Sequence, residues 1–130
     1  MKREIKFRAY SSHNHKMYPV SNIEWDIDGR IWVTADDGKN GIELIDEEAH
    51  LMQFTGLKDK NGREIYEGDV LDIGLRNQDG KPVVAPVSYE TYAAGYVLDN
   101  GGNGIWQRLT KDCEVIGNIF ENQELLEGKQ

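Results

Sequence analysis

Residues 59–73 read Asp59-Lys60-Asn61-Gly62-Arg63-Glu64-Ile65-Tyr66-Glu67-Gly68-Asp69-Val70-Leu71-Asp72-Ile73. Two clusters within this stretch, 59–62 and 67–69, are rich in the Asp, Asn and Gly residues that favour turns. Each cluster is followed by residues with the composition of a short strand, at 63–66 and at 70–73. The stretch therefore predicts two short strands that enter and leave through tight turns.

The same stretch has a rationale in folding. Ile65 and Tyr66 point to opposite faces of their strand, so one is predicted in the core and the other at the surface. Gly68 accepts backbone dihedrals that other residues resist, which allows a sharp corner between the two strands. The pattern thus indicates a structural role for these residues.

After residue 73 the same alternation of strand and turn continues. Further strands are predicted at 83–87, 94–98, 105–106 and 112–120, and a helical turn at 121–126. Short strands separated by Gly- and Asn-rich turns are typical of a small β-barrel.

Before residue 59 the chain predicts two hairpins. Residues 4–10 alternate with Ile5, Phe7 and Ala9 on one face, and residues 16–20 resume as a partner strand after a polar turn. Pro19 within that partner suits an edge. A second hairpin, 23–34, is predicted around a tight turn.

The turn of this second hairpin is Asp28-Gly29, a pair that favours positive dihedrals. A loop at 35–41 and an extended segment at 51–56 are also predicted. Residues 42–50 stay open between a strand and a short helix, because their Ile pair favours a strand whereas Glu and Ala favour a helix.

The composition bounds the class of protein. The chain has 130 residues, which suits one domain or one domain with an appendage. No apolar run is long enough for a membrane span, and the first residues do not resemble a signal peptide. A single cysteine, Cys113, allows no intramolecular disulfide and is expected to be a small buried hydrophobic residue. We therefore expect a cytoplasmic protein.

The net charge of −8 is unevenly distributed. Residues 1–16 carry five basic side chains against Glu4 alone, whereas residues 17–55 carry nine acidic against two basic side chains. An acidic body repels phosphate backbones, so nucleic-acid binding is disfavoured unless the N-terminal strand supplies a basic stripe. Phe7-Arg8-Ala9-Tyr10 interleaves aromatic and basic residues as single-strand binders do, but alternation turns Phe7 toward the core.

Metal sites have little support in the sequence. His13 and His15 lie in a predicted turn, and zinc needs three or four ligands that these two residues and His50 do not supply. The acidic segments 26–29, 36–41 and 59–64 do not have the ligand spacing of an EF-hand, and hairpin turns explain all three. No metal and no cofactor are expected.

Catalytic motifs are equally weak. The loop Gly101-Gly102-Asn103-Gly104 lacks the further residues of a dinucleotide or phosphate loop, and no serine lies in a nucleophile elbow. Four neighbouring carboxylates suggest a paired-acid site, but two of them fall in a turn, where such side chains bond to the local backbone. They are Glu64, Glu67, Asp69 and Asp72. We expect no catalytic residues and no enzyme.

Several separated segments stand in the order found in one family. They are 2–10, 16–18, 51–70, 114–122 and 124–126, which include Leu51-Met52-Gln53-Phe54-Thr55-Gly56-Leu57-Lys58 and Glu114-Val115-Ile116-Gly117-Asn118-Ile119-Phe120-Glu121-Asn122. Together they resemble the YopX family of phage and prophage proteins. The resemblance implies an N-terminal β portion joined to an SH3-like small barrel, a multi-chain assembly, and no catalytic residues to carry over.

The sequence therefore predicts a mainly β protein with two parts. Residues 1–54 form an N-terminal portion of β-hairpins, with the helix or strand near 43–50, and residues 55–130 form the YopX-like, SH3-like small β-barrel. The leading functional hypothesis is a non-enzymatic phage accessory protein that forms a homo-oligomer and binds an unidentified host or phage protein. The surface is not expected to bind a membrane.

Two alternatives belong to other functional classes. The first is a nucleic-acid-associated protein that uses the basic N-terminal strand with Lys2, Arg3, Lys6 and Arg8. The second is an acidic decoy that mimics nucleic acid and occupies a host DNA-binding protein. The first alternative predicts binding that weakens steeply with salt, whereas the second predicts a host partner that duplex DNA displaces.

Overall fold

Strands account for most of the part of the chain that the computed structural model describes, which is residues 4–36, 38–90, 95–99, 106–107 and 112–127. The chain divides into two compact units, Met1–Phe54 and Thr55–Gln130. The mainly β class predicted from the sequence is confirmed. Among the described residues, no helix has the length and apolar character that crossing a bilayer would require.

The described part of the first unit is built on five antiparallel strands. They are β1 (Phe7–Ser11), β2 (Lys16–Trp25), β3 (Ile31–Asp36), β4 (Gly41–Ile45) and β5 (Ala49–Lys58), the last of which continues into the second unit. Their order in the sheet is β4-β3-β2-β1-β5. The two predicted hairpins therefore share one long strand, because β2 pairs with β1 through its first half and with β3 through its second half.

The junction between these halves explains Pro19. The sequence predicts an edge there, but β2 is an inner strand. Pairing of β2 with β3 begins only at Val20, and the register shifts between Val20 and Asn22. Pro19 lies beyond the end of that pairing and is matched with Arg8 of β1 instead, so its missing N–H takes nothing from the β2–β3 ladder.

The core of the first unit follows the alternation of its strands. Its buried members are Ala9, Tyr18, Val33, Ala35 and Leu44. Alternation places Ile5 on the face of Ala9, but Ile5 precedes β1 and stays largely exposed. A residue before the first ladder pair is not held to one face of the sheet.

The open question at residues 42–50 has a composite answer. Gly41–Ile45 is strand β4, Asp46–Glu48 is a single 3₁₀ turn, and β5 starts at Ala49. Asp46 adopts a positive φ of 51°. The Ile-containing half thus pairs in the sheet, and the run of acidic residues makes the corner.

In its described residues, the second unit contains six further strands and a short helix. They are β6 (Glu64–Tyr66), β7 (Asp69–Arg76), β8 (Pro82–Glu90), β9 (Gly95–Asp99), β10 (Trp106–Gln107), β11 (Glu114–Asn118) and α1 (Glu124–Glu127). Five of the strands form an antiparallel sheet in the order β10-β9-β8-β7-β11, whereas β6 lies next to β5. The buried core comprises Ile65, Leu71, Ala85, Val87, Leu98, Cys113 and Val115.

Two of the sequence predictions for this unit are confirmed. Cys113 is fully buried, and Ile65 is buried while its neighbour Tyr66 is only half-buried. The predicted closed barrel is wrong for the described residues, because β10 and β11 are the two ends of an open sheet. Closure needs those end strands to pair with each other, and β10 has only two residues. The SH3-like topology stays a prediction.

Candidate interaction surface

Three hairpin turns in the described residues share a five-residue pattern of Asp or Asn, any residue, Asp or Asn, Gly, and Arg or Lys. They are residues 26–30, 59–63 and 77–81. In each turn the N–H of the first residue donates to the C=O of the fifth, and the glycine N–H donates to the C=O of the first. The glycine φ lies between 79° and 83° in all three. This is the three-residue hairpin loop that closes with a glycine bulge.

The first side chain of the pattern completes each turn. Its Oδ1 accepts the N–H of the third and fifth residues at 2.9 to 3.0 Å. A short polar side chain at this position thereby replaces the ladder bonds that a loop gives up. All three turns are fixed by bonds that span at most four residues.

The first of these turns, between β2 and β3, has an additional bond. The indole Nε1 of Trp32 donates to Asp26 Oδ2 at 3.1 Å. This bond lowers the pKa of Asp26 below 3.8, burial acts in the opposite direction, and the N–H groups of Arg30 and Asp28 with the Arg30 charge lower the pKa further. Both carboxylate oxygens of Asp26 therefore hold the loop in one conformation.

This well-held loop presents two large apolar side chains to solvent. Ile27 is 100% exposed and Trp25 is 68% exposed. Trp25 faces Ile31 across the hairpin. We call residues 25–31 the hairpin tip.

Comparison of the three turns shows that the exposed isoleucine is unusual. Ile27 occupies the second position of the pattern, where the other two turns have Lys60 and Gln78. The loop geometry does not need an apolar residue there, since the same hydrogen bonds form around lysine and glutamine. Ile27 therefore has no structural reason within its own turn to be apolar.

The energetics favour a contact surface at the hairpin tip. Full burial of a side chain such as isoleucine stabilises a complex by about 1.5 to 3 kcal/mol. Tryptophan is among the residues that most often dominate binding at protein interfaces. A loop already fixed by hydrogen bonds loses little conformational freedom on binding. The hairpin tip can therefore serve as a preorganised apolar anchor.

The three histidines lie around the β1–β2 turn. His13 has a 76% exposed side chain, and its Nδ1 lies 3.5 Å from Glu48 Oε2. His15 Nδ1 is 3.5 Å from the Tyr10 hydroxyl, and the His50 ring centroid is 6.4 Å from that of Tyr10. In the part of the chain that the structure describes, no three His, Cys, Asp or Glu side chains are grouped to hold a metal ion.

Ser11 lies beside this cluster with a structural role. It is fully buried, its Oγ donates to Glu48 Oε2 at 2.9 Å, and it accepts the N–H of Asn14 at 3.0 Å. A nucleophilic serine needs a base positioned to take its proton. Here the Ser11 hydroxyl contacts the Glu48 carboxylate, and His13 approaches the same carboxylate. The N–H of Ser12 also donates to the C=O of Glu48, so the network ties the turn to the 3₁₀ corner.

The acidic segments considered for calcium direct their carboxylates at the backbone. Asp36 accepts the Gly38 N–H at 2.8 Å, as Asp26 and Asp59 accept those of their own turns. Asp37 lies outside the described residues. These contacts match the hairpin-turn interpretation.

The four neighbouring carboxylates were considered as a paired-acid site, and three of them accept hydrogen bonds from nearby residues. Asp69 Oδ2 accepts the Tyr66 N–H at 2.8 Å, and Asp72 Oδ1 accepts the Gly74 N–H at 2.9 Å. Glu64 accepts the Tyr66 hydroxyl at 3.3 Å. Three of the four thus have local partners, and Glu67 lies half-buried in the turn.

The basic N-terminal strand makes contacts within its own chain. Lys6 Nζ lies 2.9 Å from Glu4 Oε1 and 5.3 Å from the centroid of the Phe54 ring. Arg8 is half-buried and its Nη2 lies 3.6 Å from Met52 Sδ. Lys2, Arg3 and the loop 101–104 lie outside the described residues. The nucleic-acid alternative stays a prediction.

Sequence reasoning missed the hairpin tip. Alternation places Trp25 on the face of Ile23 and cannot show that the core ends before it. One signal was available in the sequence. Ile27 is apolar, whereas the equivalent positions of the other two turns are the polar residues Lys60 and Gln78. Aligning the three turns would have identified it.

Comparison with known proteins identifies the family of this chain. A family model described as YopX protein matches residues 6–127. The chain is similar to a crystal structure described as protein EF1440 from Enterococcus faecalis, with a TM-score of 0.66 and 26% sequence identity over 97% of this chain and 100% of that chain. No curated protein matches. Because the family model covers nearly all of the 130 residues, the chain belongs to the YopX family.

Proposed function

We propose that this protein is a non-enzymatic phage or prophage accessory protein that self-assembles through the hairpin tip and thereby forms a protein-binding module. The observation that carries the proposal is the full exposure of Ile27 on a loop held by both carboxylate oxygens of Asp26. The YopX resemblance, which implies multi-chain assembly, supports it independently.

A two-fold contact between two hairpin tips suits the chemistry. In such a contact the same patch is buried on both copies, so each anchor contributes twice. Trp25 and Ile27 supply the apolar centre, whereas Asp28 and Arg30 at the rim carry opposite charges that suit a solvated border. The net charge of −8 opposes close approach, so we expect assembly to strengthen as salt rises.

Sedimentation velocity over a range of micromolar concentrations tests the proposal. The wild-type protein is expected to associate, and Ile27→Gln, which copies the turn at residue 78, is expected to sediment as a monomer. Leu75→Gln is the matched control, since Leu75 is 56% exposed on β7 and should leave association unchanged. A wild-type protein that is strictly monomeric, or an Ile27→Gln protein that associates as before, would overturn the proposal.

A further inference from the structure

The outer edge of β4 is an open strand edge. Strand β4 is the end strand of its sheet and pairs with β3 alone, from Asp36 opposite Gly41 to Trp32 opposite Ile45. On its other side no strand of the described residues lies against it. Alternate N–H and C=O groups of such an edge point outward and can pair with a further strand.

This edge lacks most of the features that keep strand edges unpaired. Its sequence, Gly41-Ile42-Glu43-Leu44-Ile45, contains no lysine and no proline, and its pairing with β3 shows no bulge. Proteins commonly use those devices to prevent edge-to-edge association. The single charged residue of the strand is Glu43.

The face of the sheet beside this edge combines an aromatic ring with carboxylates. The pairing places Glu24, Trp32 and Ile45 in one cross-strand row, and Thr34 and Glu43 in the next. Ile45 is 40% exposed. Asp26 lies at the end of this face, where it accepts the Trp32 indole N–H.

The surrounding charge is mainly negative. Asp46 and Glu47 follow the edge strand directly. Residues 17–55 contain only two cations, Arg30 and Lys39, and Arg30 already interacts with Asp26. An approaching strand therefore meets a negative potential along this edge.

The negative charge along the β4 edge determines which kind of strand can pair with it. If two copies paired their β4 edges antiparallel about Glu43, the two Glu43 carboxylates would be directly opposed, and like charges in that position are destabilising. A strand with lysine or arginine opposite Glu43 gains an opposite-charge pair instead. Its aliphatic stems can lie on Ile45, and its cationic groups can reach the Trp32 ring.

We propose that the outer edge of β4 accepts, by strand addition, an extended segment of a partner protein in which basic and apolar side chains alternate. The basic side chains lie on the face of Glu43, Trp32 and Glu24. The apolar ones lie on the opposite face and extend the core beside Ile42, which is only half-buried at this edge. Backbone pairing supplies affinity, and the alternate side chains supply specificity.

The test uses the full-length protein and a peptide of alternating lysine and valine, with binding followed by fluorescence anisotropy at low salt. We expect binding that weakens as salt rises. Glu43→Lys should reduce the affinity about tenfold, since it removes one ion pair and adds one repulsion. Asp79→Lys is the matched control, because it reverses one charge in a turn of the second unit and should leave the affinity unchanged.

A second peptide distinguishes strand addition from charge attraction. Methylation of alternate backbone nitrogens removes the hydrogen bonds of a strand but keeps every charge, so this peptide should bind at least about tenfold more weakly. No binding by the first peptide, equal binding of the methylated peptide, or equal binding to Glu43→Lys would each overturn the inference.

The inference goes beyond the proposed self-assembly because it concerns a different edge and a different partner. Ile27→Gln should abolish association and leave peptide binding intact. Failure of one proposal can therefore be told apart from failure of the other.

Discussion

The Asp59 carboxylate accepts the backbone N–H of Val115 at 2.9 Å, across 56 positions of sequence. The same side chain accepts the N–H groups of Asn61 and Arg63 within its own turn. One carboxylate thus closes the β5–β6 turn and fastens strand β11 to it. The Lys60 N–H, which donates to the Cys113 C=O, adds a second bond at the same place.

Removal of this carboxylate should destabilise the second unit. Asp59 is 6% exposed, so Asp59→Ala leaves three N–H groups without their acceptor in a nearly buried setting. We expect a loss of about 3 kcal/mol in the free energy of unfolding, measured by urea denaturation. Asp79→Ala, in the exposed turn at 77–81, should change it by less than about 0.5 kcal/mol. Equal effects of the two substitutions would contradict the role assigned to Asp59.

The same site predicts a pH dependence of stability. Burial alone would raise the pKa of Asp59, but the N–H groups of Val115, Arg63 and Asn61, with the Arg63 charge, together lower it below 3.8. A carboxyl group whose pKa is lower in the folded than in the unfolded state stabilises the protein at pH values above the unfolded-state pKa. That stabilisation disappears as the pH falls through the folded value.

Urea denaturation of the wild type and Asp59→Asn, from neutral to strongly acidic pH, measures this effect. The wild type should be the more stable at neutral pH, and the gap should close as the pH falls below 3.8. A gap that stays constant over this range would show that the charge of Asp59 does not contribute.

Substitution of the glycine should have the same effect on stability in each of the three matching turns. An added Cβ at Gly29, Gly62 or Gly80 meets no atom within 4 Å, so only the positive φ resists alanine. Each Gly→Ala substitution should therefore cost about 1 kcal/mol of unfolding free energy. Gly→Asn should cost less at each site, because asparagine tolerates the left-handed region better. Thermal and urea denaturation of the six variants would detect a site that departs from this pattern.

Gly117 on β11 should resist alanine for a different reason. A Cβ there would lie 2.6 Å from Asn122 Oδ1 and 2.8 Å from Asn122 Cβ. We expect Gly117→Ala to destabilise the protein by about 1 to 3 kcal/mol. Asn122→Gly removes Oδ1, Cγ and Cβ together, so the double variant should be more stable than the sum of the two single effects predicts. A double-mutant cycle with strictly additive effects would exclude this contact as the cause.

The rigidity of the hairpin tip can be tested apart from its apolar side chains. Asp26→Ala removes the acceptor for the Asp28 and Arg30 N–H groups and for the Trp32 indole, and leaves Trp25 and Ile27 in place. If self-association uses a preorganised loop, its dissociation constant should rise about threefold or more. Sedimentation equilibrium measures this value, and unchanged association would show that order in the loop is not required.

Much of the fold was predictable because its signals are local. The turn at residues 59–62, the hairpin around Gly29, the burial of Cys113 and the burial of one residue of the pair Ile65 and Tyr66 follow from residue type and alternation. Each depends on hydrogen bonds or side-chain directions set within a few residues. Membership in the YopX family was likewise visible in the order of several short segments.

The hairpin tip was harder to predict from local sequence patterns. The same alternating pattern that buries Val33 leaves Ile5 and Trp25 exposed, because burial depends on which strands lie opposite. The sequence also predicted a barrel where β10 and β11 remain the two ends of an open sheet. Pairing partners far apart in sequence carry no local signature.

The sequence by itself determined most of the strands, the tight turns and the family of this protein. The tertiary structure decided that β2 serves two hairpins, that Asp59 reaches Val115, that Ile27 is fully exposed and that β4 ends its sheet among the described strands. The physical reason is one of range. A turn is stabilised by bonds within about four residues, whereas exposure and edges depend on the packing of distant strands.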